Sequence, residues 1–530
     1  MKISHFLLLV IIISILLPFQ NVKAGTGIDI SRIKIFSSGC GSADLSWTTS
    51  QPSPVWLRYG PTEDLDYTLY DNSRLSLDHY VRLQDLLPET TYYYQIKADE
   101  DYFSEVRSFT TLEEPGGKYL FSFAVITDNH YTVPGTFENH EETGQLLALS
   151  DSLWLETIKE LNAEAVDFVI GKGDFTHQGT EDQFRGFKNK LAELRVPFYP
   201  VVGNHDKLGQ TWRKEFSELS PTGQSFYSFT WKDWHFIILD SAQDSLESGH
   251  IDQPQLSWLI SDLELNVGLP TMIFLHHLVN PIPQLSQTNL LDFSYLMVDN
   301  ANQIRLLLEE YPDVVSVNSG HAHFNHVSLR NNLLYVVTAS LIQFPLQYNV
   351  YHVYEEGFVQ TSHLLSEYIT ESEDSRKTLV NWVNDNYPQY RPLGGEFVAS
   401  FVGGALKDRS FKYVKEKEAL PSGELKPAIL SLYNYPNPVR EGMTTIRFQL
   451  SGEVFQLPKI RIFDVTGQLV NDKIGNGLIR IDDSPVTYLV PWDCTNSSGQ
   501  KLASGIYLLF VEVVEGGERI HKTAKAAIIR

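Results

Sequence analysis

Five short segments of the chain combine side chains that can bind a transition metal, and each follows an apolar run. The segments are Asp128-Asn129-His130, Gly173-Asp174, Gly203-Asn204-His205-Asp206, His276-His277 and Gly320-His321-Ala322-His323. Carboxylates, imidazoles and amide oxygens suit divalent Mn, Fe, Zn or Co better than ions that prefer thiolates. Each segment alone is more typical of a turn, a helix cap or a buried histidine. Together they predict one shared metal site.

The elements around these segments predict how they come together. Apolar runs predict strands over residues 120–126, 166–170, 197–202, 271–275 and 314–317, and helical periodicity covers residues 144–163, 181–194, 255–265 and 302–310. Strands that alternate with helices predict a layered α/β core of two sheets with flanking helices. Ligands of such sheets bind beyond the carboxyl ends of the strands, so all five segments would converge there.

The five segments, in this order, resemble the calcineurin-like metallophosphoesterase superfamily over roughly residues 118 to 360. The resemblance implies an α/β four-layer sandwich for residues 118–366, with two divalent metal ions. It implies a first metal held by Asp128, His130, Asp174 and His323. It implies a second metal held by Asp174, Asn204, His276 and His321, so that Asp174 bridges the two ions.

Hydrolysis of phosphoric esters is the chemistry expected of such an arrangement. A carboxylate shared by two metals holds them about 3.5–4 Å apart, and a water between them loses a proton near neutral pH and becomes the nucleophile. The metals also offset the charge of the phosphoryl oxygens in the transition state. We expect His205 to protonate the leaving oxygen or stabilise the phosphoryl group, and Asp206 to orient His205 and keep it charged. The alternative is that His205 only supports the loop.

Two further histidines adjoin the expected ligands. His277 directly follows His276, and the family pattern uses the first histidine of the pair, so we expect His276 to be the ligand and His277 to face away. His177 stands three residues after Asp174. We expect it to support the ligands rather than to bind a metal.

The substrate class depends on a comparison of two related families. Residues 27–113 read as short strands, and Leu86 to Tyr94 resembles the corner of fibronectin type III domains and of the N-terminal domain of purple acid phosphatases. A tyrosine there would hydrogen-bond back to the chain. Purple acid phosphatases, however, lack a histidine at the position of His130 and carry a tyrosine at the position of His177.

The Asp-x-His and Gly-Asn-His-Asp motifs instead resemble class III cyclic nucleotide phosphodiesterases and glycerophosphodiesterases. We therefore expect a phosphodiesterase that also acts on monoesters in some cases. One alternative is a phosphomonoesterase of the purple acid phosphatase type. Another is a surface binding protein whose catalytic domain is vestigial, although the complete ligand set speaks against it.

Residues 427–530 are strand-rich and differ from the core. Tyr435-Pro436-Asn437-Pro438, Trp492-Asp493 and Gly505 to Leu508 resemble the C-terminal sorting domains of the type IX secretion system and the related immunoglobulin-like domain of flagellar hook-capping proteins. The resemblance implies an immunoglobulin-like sandwich, the type IX secretion machinery as a partner, and attachment at the cell surface. The alternative is an ordinary accessory β-sandwich. Residues 367–426 are expected to be a connector with one helix near residues 375–384.

Composition and the first residues bound the location and the partners. A net charge of -23, from 42 basic and 65 acidic residues, argues against a general nucleic-acid or anionic-membrane binder. It does not exclude a phosphate substrate, because bound dications supply local positive charge. Lys2, the apolar run from Phe6 to Leu17 and the ending at Ala24 predict a signal peptide over residues 1–24, since the run is too short for a comfortable membrane anchor. We expect a secreted protein, or one on the outer surface of a Gram-negative bacterium.

Overall fold

The structure is a computed structural model. It describes residues 28–99, 102–137, 143–244, 246–282, 294–386, 395–415, 429–435, 437–439, 442–450, 458–472, 479–481, 486–515 and 518–529. The expected signal peptide, residues 1–24, lies outside the described residues. Among the described residues, no helix combines the length and the apolar character that crossing a membrane requires.

The first unit is an antiparallel sheet. Its strands are β1 (Ile30–Ser38), β2 (Ala43–Gly60), β3 (Tyr67–Leu83), β4 (Thr91–Ile96) and β5 (Arg107–Thr110), in the order β1-β2-β4-β5 with β3 paired to β2. The register of β2 against β3 breaks between Thr48 and Val55, and both halves of β2 contribute side chains to one core. The Tyr92 hydroxyl accepts a hydrogen bond of 2.9 Å from the Leu87 N–H, so the predicted tyrosine lock of this corner is confirmed.

Two six-stranded sheets form the centre of the protein. The first contains β6 (Tyr119–Ile126), β7 (Phe168–Gly171), β8 (Phe198–Pro200), β15 (Gln347–Tyr354), β16 (Gly357–Leu364) and β17 (Ser410–Val414), in the order β17-β16-β15-β6-β7-β8. The second contains β9 (Tyr227–Trp231), β10 (Trp234–Ile238), β11 (Thr271–Phe274), β12 (Val314–Ser319), β13 (His326–Arg330) and β14 (Leu333–Val337), in the order β13-β14-β12-β11-β10-β9. Strands β6 to β8 are parallel, as are β10, β11, β12 and β14, so their carboxyl ends share one edge of each sheet.

The two sheets pack face to face through an aromatic core, and helices cover their outer faces. Phe123 stacks on Tyr351 of its own sheet at 4.7 Å and meets Phe236 of the other sheet edge-on at 5.4 Å. The helices are α1 (Ser150–Glu164), α2 (Glu181–Leu191) and α3 (Trp212–Leu219) on the first sheet, and α4 (Gln253–Leu265) and α5 (Ala301–Leu308) on the second. The core therefore has the expected four layers, with mixed sheets.

The segment expected to be a connector forms part of this core, which corrects the expectation for residues 367–426. It contains α6 (Ile369–Asn386), α7 (Gly395–Gly403), α8 (Leu406–Arg409) and then β17, the edge strand of the first sheet. The Ser375 hydroxyl on α6 donates to the Gly144 carbonyl at 2.7 Å and accepts from the Phe344 N–H at 2.8 Å. The polar sequence predicted a connector because α6 buries mainly small and charged side chains and has no continuous apolar stripe.

The last unit consists of two four-stranded antiparallel sheets around their own core. The strands are β18 (Ile429–Tyr435), β19 (Thr444–Leu450), β20 (Lys459–Asp464), β21 (Leu469–Asn471), β22 (Ile479–Ile481), β23 (Val486–Trp492), β24 (Gly505–Glu515) and β25 (Glu518–Ile528), in the orders β18-β19-β23-β22 and β21-β20-β24-β25. Trp492 and Cys494 are buried in this core. Cys40 and Cys494 are both free thiols, in different units.

Candidate metal centre

All five metal-capable segments lie at the carboxyl ends of parallel strands, as predicted. Asp128 and His130 follow β6, Asp174 follows β7, Asn204 and His205 follow β8, His276 follows β11, and His321 and His323 follow β12. Asp128, His130, Asp174, Asn204 and His276 are buried, with at most 3% of any of these residues exposed. The sheets thus bring side chains together that are up to 195 positions apart in the chain, as Asp128 and His323 are.

The first cluster consists of Asp128, His130 and His323. The Nε2 atoms of His130 and His323 are 3.3 Å apart, and His323 Nε2 lies 3.4 Å from Asp128 Oδ1. Two ligand atoms at about 2.0–2.1 Å from one tetrahedral ion are separated by about 3.4 Å, so this spacing fits a shared cation. The buried Asp128 Oδ1 atom accepts no hydrogen bond from the described residues. A bound cation would satisfy this oxygen in place of a hydrogen-bond donor.

The second cluster consists of Asp174, His276 and His321, with Asn204 beside it. His276 Nε2 lies 3.0 Å from Asn204 Oδ1 and 3.3 Å from Asp174 Oδ2. Burial alone would lower the pKa of His276, but the Asp174 carboxylate raises it to about 9. Asp174 therefore supplies the negative charge of this cluster, and a divalent cation would take the place of the proton that His276 holds.

Asp174 stands between the two clusters. Its Oδ2 atom is 3.6 Å from His130 Nε2 of the first cluster and 3.3 Å from His276 Nε2 of the second. Its Oδ1 atom accepts a hydrogen bond of 2.9 Å from the His205 N–H, which fixes the rotation of the carboxylate. The donor atoms thus fit two divalent cations that share this carboxylate.

Backbone strain is concentrated in the same loops. Five ligand candidates adopt left-handed backbone angles, with φ of 54° at Asp128, 43° at His130, 53° at Asp174, 63° at His321 and 56° at His323. Such angles cost about 1–3 kcal/mol each for residues other than glycine and persist where the surrounding structure enforces them. They turn consecutive side chains of a short loop toward one point.

Two glycines allow the ligand loops to approach one another. A Cβ atom at Gly203 would lie 2.2 Å from Asp174 Oδ1, and one at Gly320 would lie 2.1 Å from Thr127 Oγ1. Both distances are shorter than any van der Waals contact, so no other residue fits without displacing a ligand loop. The absence of a side chain at these two glycines therefore allows the ligand loops to pack against one another.

His205 lies beside the first cluster, but its partner is not the one expected from the sequence. Its Nδ1–H donates a hydrogen bond of 2.7 Å to the backbone carbonyl of His177. Asp206 instead accepts hydrogen bonds from the N–H groups of Thr176 at 2.9 Å and Gly203 at 3.0 Å. The expectation that Asp206 orients His205 is wrong, because Asp206 begins a 3-10 turn that directs its carboxylate into the core. Burial, reinforced by the charge of Asp174, raises the pKa of Asp206 to about 6.

The histidine pair after β11 is divided as expected. His276 faces the metal donors, whereas His277 Nε2–H donates to the Glu247 carbonyl at 2.8 Å and His277 Nδ1 lies 3.0 Å from the Ser241 hydroxyl. His177 approaches the first cluster, with its Nδ1 3.4 Å from His130 Nδ1.

Comparisons with known proteins match two regions of the chain to families. Residues 121–325 match the calcineurin-like phosphoesterase family, and residues 35–111 match the N-terminal domain of purple acid phosphatase. The chain contains a calcineurin-like phosphoesterase domain. It is a metal-dependent phosphoric ester hydrolase.

Individual relatives match less than half of the chain. A 3',5'-cyclic-nucleotide phosphodiesterase of Nostoc sp. is 27% identical over 252 residues, which are 45% of this chain and 85% of that protein. A glycerophosphodiester phosphodiesterase of Enterobacter lignolyticus is 24% identical over 206 residues, 38% of this chain and 70% of that protein. A dimetal phosphatase from Danio rerio superposes on 47% of this chain and 97% of its own, with a TM-score of 0.39 and 17% identity.

Several groups that support the ligands of the phosphoesterase domain have no motif in the sequence. His323 Nδ1–H donates to Gln343 Oε1 at 2.9 Å, and His276 Nδ1–H donates to the Lys172 carbonyl at 2.8 Å. Such hydrogen bonds fix the tautomer of a ligand histidine and leave its other nitrogen free to face the metal. The sequence carries no signal for Gln343, because its role depends on a loop that follows β14 and folds back to the site.

Lys172 is a second unanticipated residue of the phosphoesterase domain. Its side chain is fully buried at the end of β7, where its ammonium donates to the Ser319 carbonyl and the Thr338 hydroxyl, both at 2.6 Å. Burial lowers the pKa of Lys172 to about 7, although the nearby Asp128 opposes that shift. The residue ties β7 of the first sheet to β12 and the loop after β14 of the second. The sequence did offer one signal of its role, since Lys172 directly follows the apolar strand β7.

Proposed function

We propose that the chain hydrolyses phosphodiesters with two divalent metal ions. The position of Asp174 Oδ2, within 3.6 Å of a donor in each cluster, carries this proposal. One ion would be held by Asp128, His130, Asp174 and His323, and the other by Asp174, Asn204, His276 and His321. The nitrogen and oxygen donors suit Mn, Fe, Zn or Co.

The ions would supply positive charge to the phosphoryl oxygens and lower the pKa of a bound water. The chain itself contributes the orientation of the donors and a proton source. His205 lies beside the first cluster and is not needed as a ligand, and its Nδ1–H donates to the His177 carbonyl. Its Nε2 atom is therefore the one that would face the substrate and give a proton to the leaving oxygen.

Two observations favour phosphodiesters. The relatives named above are a cyclic-nucleotide phosphodiesterase and a glycerophosphodiester phosphodiesterase. His130 and His177 also stand where purple acid phosphatases have other residues, in the latter case a metal-binding tyrosine. The second candidate is a phosphomonoesterase of the purple acid phosphatase type, which the match of residues 35–111 favours. A vestigial domain is not supported, because the complete donor set converges.

The test compares wild type with Asp174→Ala, His205→Ala and the control His250→Ala, an exposed histidine paired with Asp299. We expect about two metal ions per chain in the wild type and in the control. Asp174→Ala should lose metal. His205→Ala should keep its metal and lose about 10²- to 10⁴-fold in rate.

Substrate preference is measured with bis(p-nitrophenyl) phosphate and p-nitrophenyl phosphate. A higher kcat/KM on the diester supports the phosphodiesterase proposal. A preference for the monoester together with a visible charge-transfer band would establish the purple acid phosphatase alternative. Absence of activity on both substrates with metal bound would refute the proposed function.

We also propose that the chain is exported. The proposal rests on the signal-peptide pattern of residues 1–24 and on the resemblance of residues 427–530 to type IX sorting domains, with the outer cell surface as the destination. The immunoglobulin-like assignment of that unit and the fibronectin III-like assignment of residues 27–113 belong to the same proposal.

Export is tested in a bacterium that has the type IX machinery. We expect cleavage after Ala24, surface or medium localisation of the full chain, and periplasmic retention when residues 427–530 are deleted. Surface delivery of the deleted chain would refute the sorting role. Amino-terminal sequencing and cell fractionation measure these outcomes.

A further inference from the structure

Tyr295 stands at the rim of the metal centre, beside the second cluster. Its ring lies edge-on to the ring of His321, with 6.3 Å between the ring centres. Its backbone carbonyl accepts a hydrogen bond of 3.2 Å from His321 Nε2–H. Because this bond occupies Nε2, it leaves Nδ1 of His321 as the atom that can face a metal. One residue therefore orients a ligand candidate through its backbone and places an aromatic ring beside that ligand.

The backbone of Tyr295 is held in place by its neighbours in the chain. Tyr295 is the middle residue of a 3-10 turn, Ser294–Leu296. The Leu278 N–H donates to the Leu296 carbonyl, and the Val298 N–H donates to the Leu278 carbonyl, both at 2.9 Å. Leu278 directly follows the histidine pair after β11. The turn is thus attached to the loop that carries ligands of the second cluster, which fixes the distance between the Tyr295 ring and the metal donors.

The Tyr295 side chain is exposed although the turn beneath it is anchored. Solvent reaches 40% of Tyr295, compared with 6% of Leu296 and 1% of Val298. A tyrosine ring offers a large contact area with only two rotatable side-chain bonds, so ordering it on a ligand costs little entropy. The rim of the second cluster therefore presents a positioned aromatic surface to a bound substrate.

The proton donor of the proposed reaction lies beside the other cluster. The rings next to His205 are those of His130 at 4.5 Å and His177 at 5.4 Å. The leaving oxygen of a substrate would face His205, so the second substituent of a phosphodiester has to extend elsewhere. The rim beside His321 offers it the Tyr295 ring. A monoester has no such substituent and would gain nothing from this contact.

We propose that Tyr295 determines substrate specificity by packing against the substituent of a phosphodiester that does not leave. The contact favours diesters whose retained substituent carries an aryl or heteroaryl ring, because two rings attract each other in stacked or edge-on arrangements beyond the burial of apolar area. An aliphatic substituent of similar charge gains less. This inference rests on the proposed function, since it concerns the same metal centre.

The first test varies only the retained substituent. Phenyl p-nitrophenyl phosphate and methyl p-nitrophenyl phosphate both release p-nitrophenol, so the ratio of their kcat/KM values reports the contact with the other substituent. We expect Tyr295→Leu to lower this ratio by about tenfold relative to the wild type, and Tyr295→Phe to keep it within about threefold. Both variants keep the backbone carbonyl that accepts from His321, so about two metal ions per chain should remain bound.

Tyr70→Leu is the matched control. Tyr70 is a tyrosine of the first unit that is 54% exposed and lies edge-on to Trp56 rather than to a ligand candidate. The control should leave the ratio of the two esters unchanged.

The second test needs no turnover. Isothermal titration calorimetry on the metal-loaded full chain compares phenylphosphonate with methylphosphonate. We expect the wild type to bind phenylphosphonate about tenfold more tightly, and we expect Tyr295→Leu to lose this preference. Tyr295→Phe and Tyr70→Leu should keep it.

The proposal requires the effect of Tyr295→Leu in both measurements. It is overturned if the wild type shows no preference for phenylphosphonate, if Tyr295→Leu leaves either ratio unchanged, or if Tyr70→Leu lowers the ratios equally. Failure of the proposed function has a different result, in which the metal-loaded wild type hydrolyses none of the esters; phosphonate binding alone then decides the role of Tyr295. An active enzyme whose ratios do not respond to Tyr295→Leu refutes only the role of Tyr295.

Discussion

Gln343 provides a direct test of how the structure supports the metal donors. Its Oε1 accepts from His323 Nδ1–H at 2.9 Å, and its Nε2–H donates to the Thr143 carbonyl. Gln343 is buried, with 6% of its surface exposed, so water does not readily replace either hydrogen bond. Gln343→Leu keeps a similar volume and removes both hydrogen bonds. We expect weaker metal binding at the cluster of Asp128, His130 and His323.

The size of the effect follows from one hydrogen bond to a ligand that the metal polarises. Hydrogen bonds that involve charged groups contribute about 1.5–3 kcal/mol. Since about 1.4 kcal/mol is tenfold in an equilibrium constant, the dissociation constant at this cluster should rise by about 10- to 150-fold. Losses of about 10- to 100-fold are typical when a partner of a ligand histidine is removed. In the described part of the chain, Gln343 shares no hydrogen bond with Asp174, His276 or His321, so the affinity of the second cluster should change little.

The assay is a two-site metal titration of the chelator-treated full chain. Gln360→Leu is the matched control, because Gln360 is a fully buried glutamine of β16 whose amide donates to the Ser362 hydroxyl and to the Arg409 carbonyl, away from the metal donors. The control should retain both affinities. Equal weakening of both sites in Gln343→Leu, or the same weakening in Gln360→Leu, would show a general loss of structure and refute this account. Unchanged affinity at both sites would refute the role of the Gln343–His323 hydrogen bond in metal binding.

Three further predictions concern packing and pH. Gly320→Ala should destabilise the core by about 1–3 kcal/mol and weaken metal binding, because the added Cβ would lie 2.1 Å from Thr127 Oγ1. Thermal melting and metal content measure these effects, and unchanged values would contradict the close approach. Tyr92→Phe should cost about 1 kcal/mol in urea unfolding of the first unit, since the hydrogen bond from the Leu87 N–H is lost, and no change would mean that water replaces it. Burial lowers the pKa of His79 to about 4, whereas the pKa of a histidine in the unfolded chain is near 6.5. As the pH falls below about 6.5, the unfolded state therefore binds a proton before the folded state does. Stability should therefore fall by about 3 kcal/mol from this residue between pH 7 and pH 4, and His79→Phe, which can keep the stacking on Trp47, should lose that part of the dependence in urea titrations at both pH values.

Much of the core and its site could be predicted because both depend on local pattern. The apolar runs predicted the strands, and the residue types after each run predicted the donors. Asp128 and His323 are distant in sequence, yet the rule that parallel strands share their carboxyl ends brought them together. The choice of His276 over His277 also followed from the sequence, through the family pattern. These predictions rest on short segments that indicate one site only in combination, because each segment alone is also typical of a turn or a buried histidine.

Predictions that depended on the partner of a side chain were less successful. Adjacent residues on a tight turn point in different directions, and only the backbone path showed that Asp206 turns into the core while His205 bonds to the His177 carbonyl. Residues 369–386 lacked a continuous apolar stripe, and the place of this helix in the core became visible only through contacts such as those of Ser375 with Gly144 and Phe344.

The sequence by itself therefore determined which atoms can bind metal, in what order they occur and at which edge of the sheets they lie. The tertiary structure decided which neighbours hold them, since Gln343 and Lys172 act through contacts between segments far apart in the chain. The physical reason is that donor chemistry belongs to a residue type, whereas a hydrogen-bond partner belongs to the packing of segments that no local pattern specifies.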